Sequence, residues 1–241
     1  MPGYGTELYG RLVLEDHVIH VGKDGKILSY ERLVNGEVVV SKKIYGADKV
    51  VPVPLYPVNI PALFTTYVLV VFKNSLDVAP GEELTIYVPI PVDIAVYAVK
   101  NNNSGKEVFS VVDVFSVKKV KYGLYGPVDT GVVARYYKTE YYFKEKDPDL
   151  GEAIAKVVVK NKTQEWVTVT RILLESNPLS LFYVKGEWKA YTQELNFVIT
   201  SQKTGSIYYG KPFKDNVVPI TDPPQLRQPV IHFKTDMIWG L

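Results

Sequence analysis

Two aspartates stand in otherwise apolar stretches of this chain, in Pro91-Val-Asp93-Ile-Ala and in Val111-Val-Asp113-Val-Phe. A carboxylate set among valines is costly to desolvate, so each one needs a proton, a cation or a hydrogen-bond donor nearby. Between them runs Asn101-Asn-Asn-Ser-Gly105, a turn signal. A hairpin centred on Asn103 sets Val99 against Glu107, Ala95 against Val111 and Asp93 against Asp113. Like charges directly opposite on one face repel. They persist only with a cation between them, with a shared proton, or with a bulge that moves one away. Paired carboxylates also cleave glycosides, though only at the separations that chemistry needs, and opposed strand neighbours are close for it.

The cation that suits them is Arg135, in Val-Val-Ala-Arg-Tyr-Tyr. On a strand it shares a face with Tyr137 and Tyr141, and a guanidinium forks onto carboxylates while stacking on a ring. Arg135 is therefore expected to neutralise Asp93 and Asp113. With Tyr122, Tyr125 and Tyr137 as walls, these residues form the candidate binding site. Two readings stay open: an ion network that fixes strand register, or a polar-ligand site or acid/base pair walled by tyrosines. The surrounding stretch, Lys121 to Phe143, carries seven aromatic residues, three glycines and one proline. Gly123, Gly126-Pro127 and Gly131 read as a compact turn with the tyrosines packed over bare backbone.

Other chemistries find no residues. There is no cysteine, which excludes disulfides, thiolate metal sites and thiol catalysis. No phosphate-binding glycine loop, nucleophile elbow or HExxH helix is present. His17 and His20, three apart on a strand, point to opposite faces and do not share a metal. No catalytic residue, metal or cofactor is assigned.

The elements that position these groups are strands. Val, Ile, Tyr and Thr dominate, with Gly, Asn, Asp and Pro punctuating every 8 to 12 residues or so, which predicts an all-β protein of the sandwich type. Residues 1–45 read as a three-stranded meander, with Arg11 to Val21 as its first strand and Asp24-Gly25 and Asn35-Gly36 as tight hairpin turns. Pro148 to Lys156 is compatible with one short helical turn. Shifting the chain by 87 residues aligns Val70-Val71-Phe72-Lys73-Asn74 with Val157-Val158-Val159-Lys160-Asn161, Pro91 with Pro178 and Tyr122-Gly123 with Tyr209-Gly210. That repeat suggests two tandem β-sandwich lobes, 46–132 and 133–219, and a single large continuous sandwich is the alternative. The tail, 220–241, begins as an extended linker, offers Val230 to Lys234 as a strand and ends on Met237-Ile-Trp239. It docks on its own fold or joins a neighbouring subunit into a homo-oligomer.

The net charge of +2 argues against a nucleic-acid partner. Lys118, Lys119 and Lys121 form the densest basic cluster and read as edge lysines that block strand pairing. Apolar runs such as Tyr67 to Phe72 are too short to span a bilayer. The N-terminus lacks the features of a signal peptide, which points to a cytoplasmic protein, and the sequon Asn161-Lys-Thr163 then reads as chance. Abundant Lys, Tyr and Val with few Met and Gln suggest a thermophilic source.

Pro91-Val-Asp-Ile-Ala-Val-Tyr97, Val112-Asp113, Lys121-Tyr-Gly-Leu-Tyr-Gly126, Gly131 and Ala134-Arg-Tyr136 together resemble a family of uncharacterised archaeal proteins, domain of unknown function 432. The resemblance spans most of the chain and implies no activity. The expected function is a non-enzymatic module that binds a protein partner or a small polar ligand. The alternatives are a carbohydrate-active hydrolase built on Asp93 and Asp113, and a structural subunit assembled through its C-terminal strand.

Overall fold

A computed structural model of the chain describes residues 2–58, 64–101, 107–220 and 237–238. Every regular element among them is a strand. Sheet I is an antiparallel meander of β1 (Gly10–Leu14), β2 (His17–Asp24), β3 (Ile27–Val34) and β4 (Glu37–Tyr45). The stretch expected as one strand, Arg11 to Val21, is broken by a tight turn at Glu15-Asp16, where Glu15 takes a φ of 54°. The meander therefore has four strands, not three. Asn35 and Gly36, with φ of 51° and 86°, close the β3–β4 hairpin as a turn that needs positive φ at both positions.

Sheet II is β5 (Lys49–Leu55), β8 (Asp93–Asn101) and β9 (Glu107–Phe115). Its outer edge is covered by the N-terminal segment: Gly5 donates to the Pro52 carbonyl and Leu8 to that of Val50, both at 2.8 Å. The long stretch from β7 (Glu83–Pro91) into β8 changes sheets at Val92, whose amide bonds Gly151 of the β12 side at 2.9 Å. Proline at 91 has no amide to continue the ladder, so the chain leaves one sheet for the other there. Asp93 is the first residue past this junction.

Sheet III runs β10 (Tyr122–Tyr125), β11 (Val132–Thr139), β6 (Tyr67–Val78), β13 (Val167–Glu175). Sheet IV is centred on β12 (Glu152–Asn161), between β7 and β15 (Ala190–Ile199). The far edge of β15 is shared by β14 (Leu181–Tyr183) and β16 (Thr204–Pro212), and β17 (Val218–Pro219) borders β14. The two sheets follow one plan. In each, a central strand (β6 or β12) has a parallel neighbour on one side (β11 or β15) and an antiparallel one on the other (β13 or β7). In both sheets the antiparallel pair joins a strand from before residue 132 to one from after it. Val70 pairs with Ile172, and its counterpart 87 residues on, Val157, pairs with Ile86, one residue from the counterpart of Ile172.

At 148–156 the short helical turn expected from sequence is replaced by a turn at Leu150-Gly151 and the start of β12. Gly151, at φ +75°, packs where a Cβ would lie 2.2 Å from Val117. Of the tail, β18 (Met237–Ile238) pairs with Thr204 and Gly205 of β16. The strand expected at Val230 to Lys234, and the turn at 102–105, lie outside the described residues. No helix long and apolar enough to cross a membrane occurs among the described residues.

Candidate functional site

The register of β8 and β9 separates the two aspartates. Tyr97 pairs with Val111, Val112 is bulged out, and Val96 then pairs with Asp113. The hairpin is offset from the expected centre, so Asp93 does not oppose Asp113. Because side chains alternate along a strand, Asp93 shares a face with Ala95 and Tyr97, while Asp113 opens on the face of Val96. One substrate therefore does not meet both carboxylates. Each aspartate instead has its own arginine.

Asp93 and Arg135 are 0% and 1% exposed, and Arg135 Nη2 lies 3.5 Å from Asp93 Oδ1. The guanidinium comes from β11 and reaches across to sheet II. It also donates to the Pro57 carbonyl at 3.2 Å and to Ser116 Oγ at 3.0 Å. Ser116 lies just past β9 and Pro57 just past β5, so this one side chain ties sheet III to all three strands at one end of sheet II. Asp93 Oδ2 and the hydroxyl of Tyr4 are buried and accept or donate no hydrogen bond among the described residues. Burial pushes the Asp93 carboxyl up to about 7, with Arg135 and Ser116 pulling the other way. Burial also raises the Tyr4 phenol, with the Asp93 carboxylate adding to it.

Asp113 belongs to a different network. Arg32 donates through Nε to Oδ2 at 2.6 Å and through Nη2 to Oδ1 at 3.3 Å, and the Tyr30 hydroxyl donates to Oδ2 at 2.8 Å. Arg32 stacks over the Phe115 ring at 4.8 Å and meets His17 Nδ1 at 3.3 Å. Since arginine only donates, Nδ1 accepts, and the other ring nitrogen carries the proton toward the Ser116 carbonyl at 3.2 Å. This forked pair fastens sheet I to sheet II. Arg32 and Tyr30 are absent from the site read from sequence, yet Ser-Tyr30-Glu-Arg32 alternates in phase with Leu28. An arginine on the inward face of a meander is the signal for a buried acid.

Of the three tyrosines, Tyr122 stays beside Arg135, while Tyr125 and Tyr137 lie elsewhere. Tyr122 pairs with Arg135 across β10–β11 and sets its ring edge-on to Phe64 at 4.8 Å. Burial raises the Tyr122 phenol against the pull of the Arg135 guanidinium. Tyr125 is buried at the other end of β10. Tyr137 turns to sheet IV, where its hydroxyl donates to Glu152. Asn161 of the sequon is 2% exposed, and its amide nitrogen donates to the carbonyls of Val78, Ala79 and Glu165. It is a structural side chain.

A cavity of about 270 Å³ lies between sheet II and the β14–β17 edge of sheet IV. Its floor is Val51, Val53 and Tyr97, on the same face as Asp93, with Phe109 edge-on to Tyr97 at 5.9 Å. Tyr183 and Val218 form the opposite wall, and Lys49 and Lys185 are the charged residues that line it. Gly5 closes one side. At φ +71°, a Cβ there would lie 2.6 Å from the Tyr183 ring, so only glycine lets the N-terminal segment close over the wall. Tyr4 anchors that segment, its ring edge-on to Trp188 at 4.9 Å and to Tyr183 at 6.2 Å. Neither Lys49 nor Tyr183 is marked by any local motif, because the lining comes from six separate segments of the chain.

A family model described as "Protein of unknown function (DUF432)" matches residues 4–238. No curated protein and no solved structure matches the chain.

Proposed function

The chain belongs to the DUF432 family, whose description names no activity, and from the geometry we propose a non-enzymatic module that binds a small organic anion in the cavity between sheets II and IV. The observation that carries this reading is the lining: two lysines and no carboxylate around a floor and walls of valine and aromatic rings. A cavity of about 270 Å³ is close to the lower end of ligand pockets, which are apolar with a few polar groups that fix orientation. The rings hold the ligand body, and the Lys185 ammonium holds a carboxylate or phosphate at the mouth. Lys185 is exposed and makes no ion pair among the described residues, so it is ready to receive an anion. The Asp93 and Asp113 networks serve this module as bolts between sheets. A hydrolase needs two carboxylates over one cleft, and these two face opposite sides of sheet II.

The test is a thermal-shift and calorimetric screen of aromatic and aliphatic carboxylates and phosphate esters beside their neutral amide or alcohol analogues. A ligand at 100 times its Kd stabilises by about 2.7 kcal/mol. Anions should raise the melting temperature, neutral analogues should not, and Lys185→Glu should remove the shift. A panel with no hit, or binding that ignores both the anionic group and Lys185, sinks the reading. Assembly through the C-terminal segment is the competing reading; within the chain, Met237–Ile238 pairs with β16.

A further inference from the structure

The outer face of sheet I is ordered in a way the inner face does not require. On the inner face, Ile19, Val21, Leu28 and Tyr30 are buried toward sheet II. The face turned to solvent in such a sheet is normally polar. Here the registers align Val13 with Val18, Val18 with Leu33 and Leu33 with Val38, an aliphatic row across all four strands. Its two ends, Val13 and Val38, are 49% and 54% exposed. The next row along the strands is Arg11, His20, Glu31 and Ser41, and beyond it stand Gly22, Ser29 and Lys43.

We propose that this face is a homodimer interface, with two copies packed face to face about a two-fold axis parallel to the strands. That operator lays β1 over the partner's β4 and β2 over the partner's β3. The rows are then self-complementary. Val13 meets Val38 and Val18 meets Leu33, each contact occurring twice, as an isologous interface demands. In the next row, His20 lies over Glu31 and Arg11 over Ser41, so no like charges oppose one another. In the third, Gly22 lies over Ser29, where small side chains let two twisted sheets approach to about 10 Å. An axis perpendicular to the strands would instead stack each row end on itself and move the second row over the hairpin turns. Four strands at about 4.8 Å spacing, paired over about seven residues, present roughly 500 Å² per copy. The total of about 1,000 Å² is the low end for a specific interface.

The test uses the full chain in sedimentation velocity from about 5 to 500 μM. A reversible dimer is expected, reduced at least tenfold in affinity by Val13→Lys with Val38→Lys. These positions are exposed, so the melting temperature of the monomer should not fall. A monomer at every concentration, or a dimer indifferent to both substitutions, overturns the proposal. The geometry is tested separately, because the chain has no cysteine. Val13→Cys and Val38→Cys copies are mixed and treated with a short bis-maleimide. The mixture should cross-link well above either variant alone. Self-linking of Val13→Cys that mixing does not exceed places the axis across the strands and refutes the arrangement.

Discussion

Asp93→Asn should stabilise the protein, and by an amount that depends on pH. In the unfolded chain this carboxyl releases its proton near 3.8, and in the folded chain near 7, because it is 0% exposed and Arg135 reaches it only at 3.5 Å. Between those values the folded state holds a proton that the unfolded state has lost. The contribution of Asp93 to stability is therefore greatest below about pH 4, falls as pH rises to about 7 and is level above. At 1.36 kcal/mol per pH unit, the difference comes to about 4 kcal/mol. Asparagine has the shape of the protonated acid and no charge, so the variant lacks this slope. Arg135 keeps the Pro57 carbonyl and Ser116 Oγ in either form. Urea unfolding of both proteins, followed by tyrosine and tryptophan fluorescence from about pH 4 to 8, should give equal stabilities at the acid end. The variant should gain steadily toward pH 8, by up to about 4 kcal/mol. A loss of about 3 kcal/mol or more at pH 8 would refute the reasoning, since that is the signature of a buried arginine deprived of an ionised partner.

The second aspartate should behave in the opposite way. Asp113→Asn leaves Arg32 buried without its forked acceptor and should cost about 3–5 kcal/mol in the same assay, with much of it recovered in an Asp113→Asn, Arg32→Met double variant. Asn161→Ala removes an amide whose two protons are shared among three carbonyls, at a residue 2% exposed, and should cost about 2–4 kcal/mol by urea denaturation; a loss below 1 kcal/mol would show that water replaces these bonds. Gly5→Ala and Gly25→Ala both fall at positive φ, but only the former drives a Cβ into the Tyr183 ring. Gly25→Ala should cost about 1 kcal/mol, while Gly5→Ala should cost more and also weaken anion binding in calorimetry. Equal effects of the two would mean that the N-terminal segment does not close the cavity.

Strand content, hairpin turns and the punctuated rhythm were all legible in the chain, because each depends on neighbours two to four residues apart. Asn35-Gly36 is a turn wherever it sits, and alternating valines form a strand whatever covers them. The 87-residue recurrence was legible too, in Val70 to Asn74 against Val157 to Asn161. That β6 pairs with β13 and β12 with β7 was not, since pairing is chosen by contacts about 70 to 100 residues apart. The site shows the same division. The sequence marks Asp93 and Asp113 as buried charges and Arg135 as a cation fit for one of them, by residue type and apolar setting alone. Their separation hangs on one bulged residue, Val112, which shifts the register by one and turns one carboxylate to the opposite face of the sheet. The partner of Asp113 comes from a meander 81 residues away, and the cavity from six segments that share no motif. Local pattern determines which groups must be paired or buried. Only the packing of the sheets decides with what, because a register slip of a single residue reverses every side chain and leaves no trace in composition.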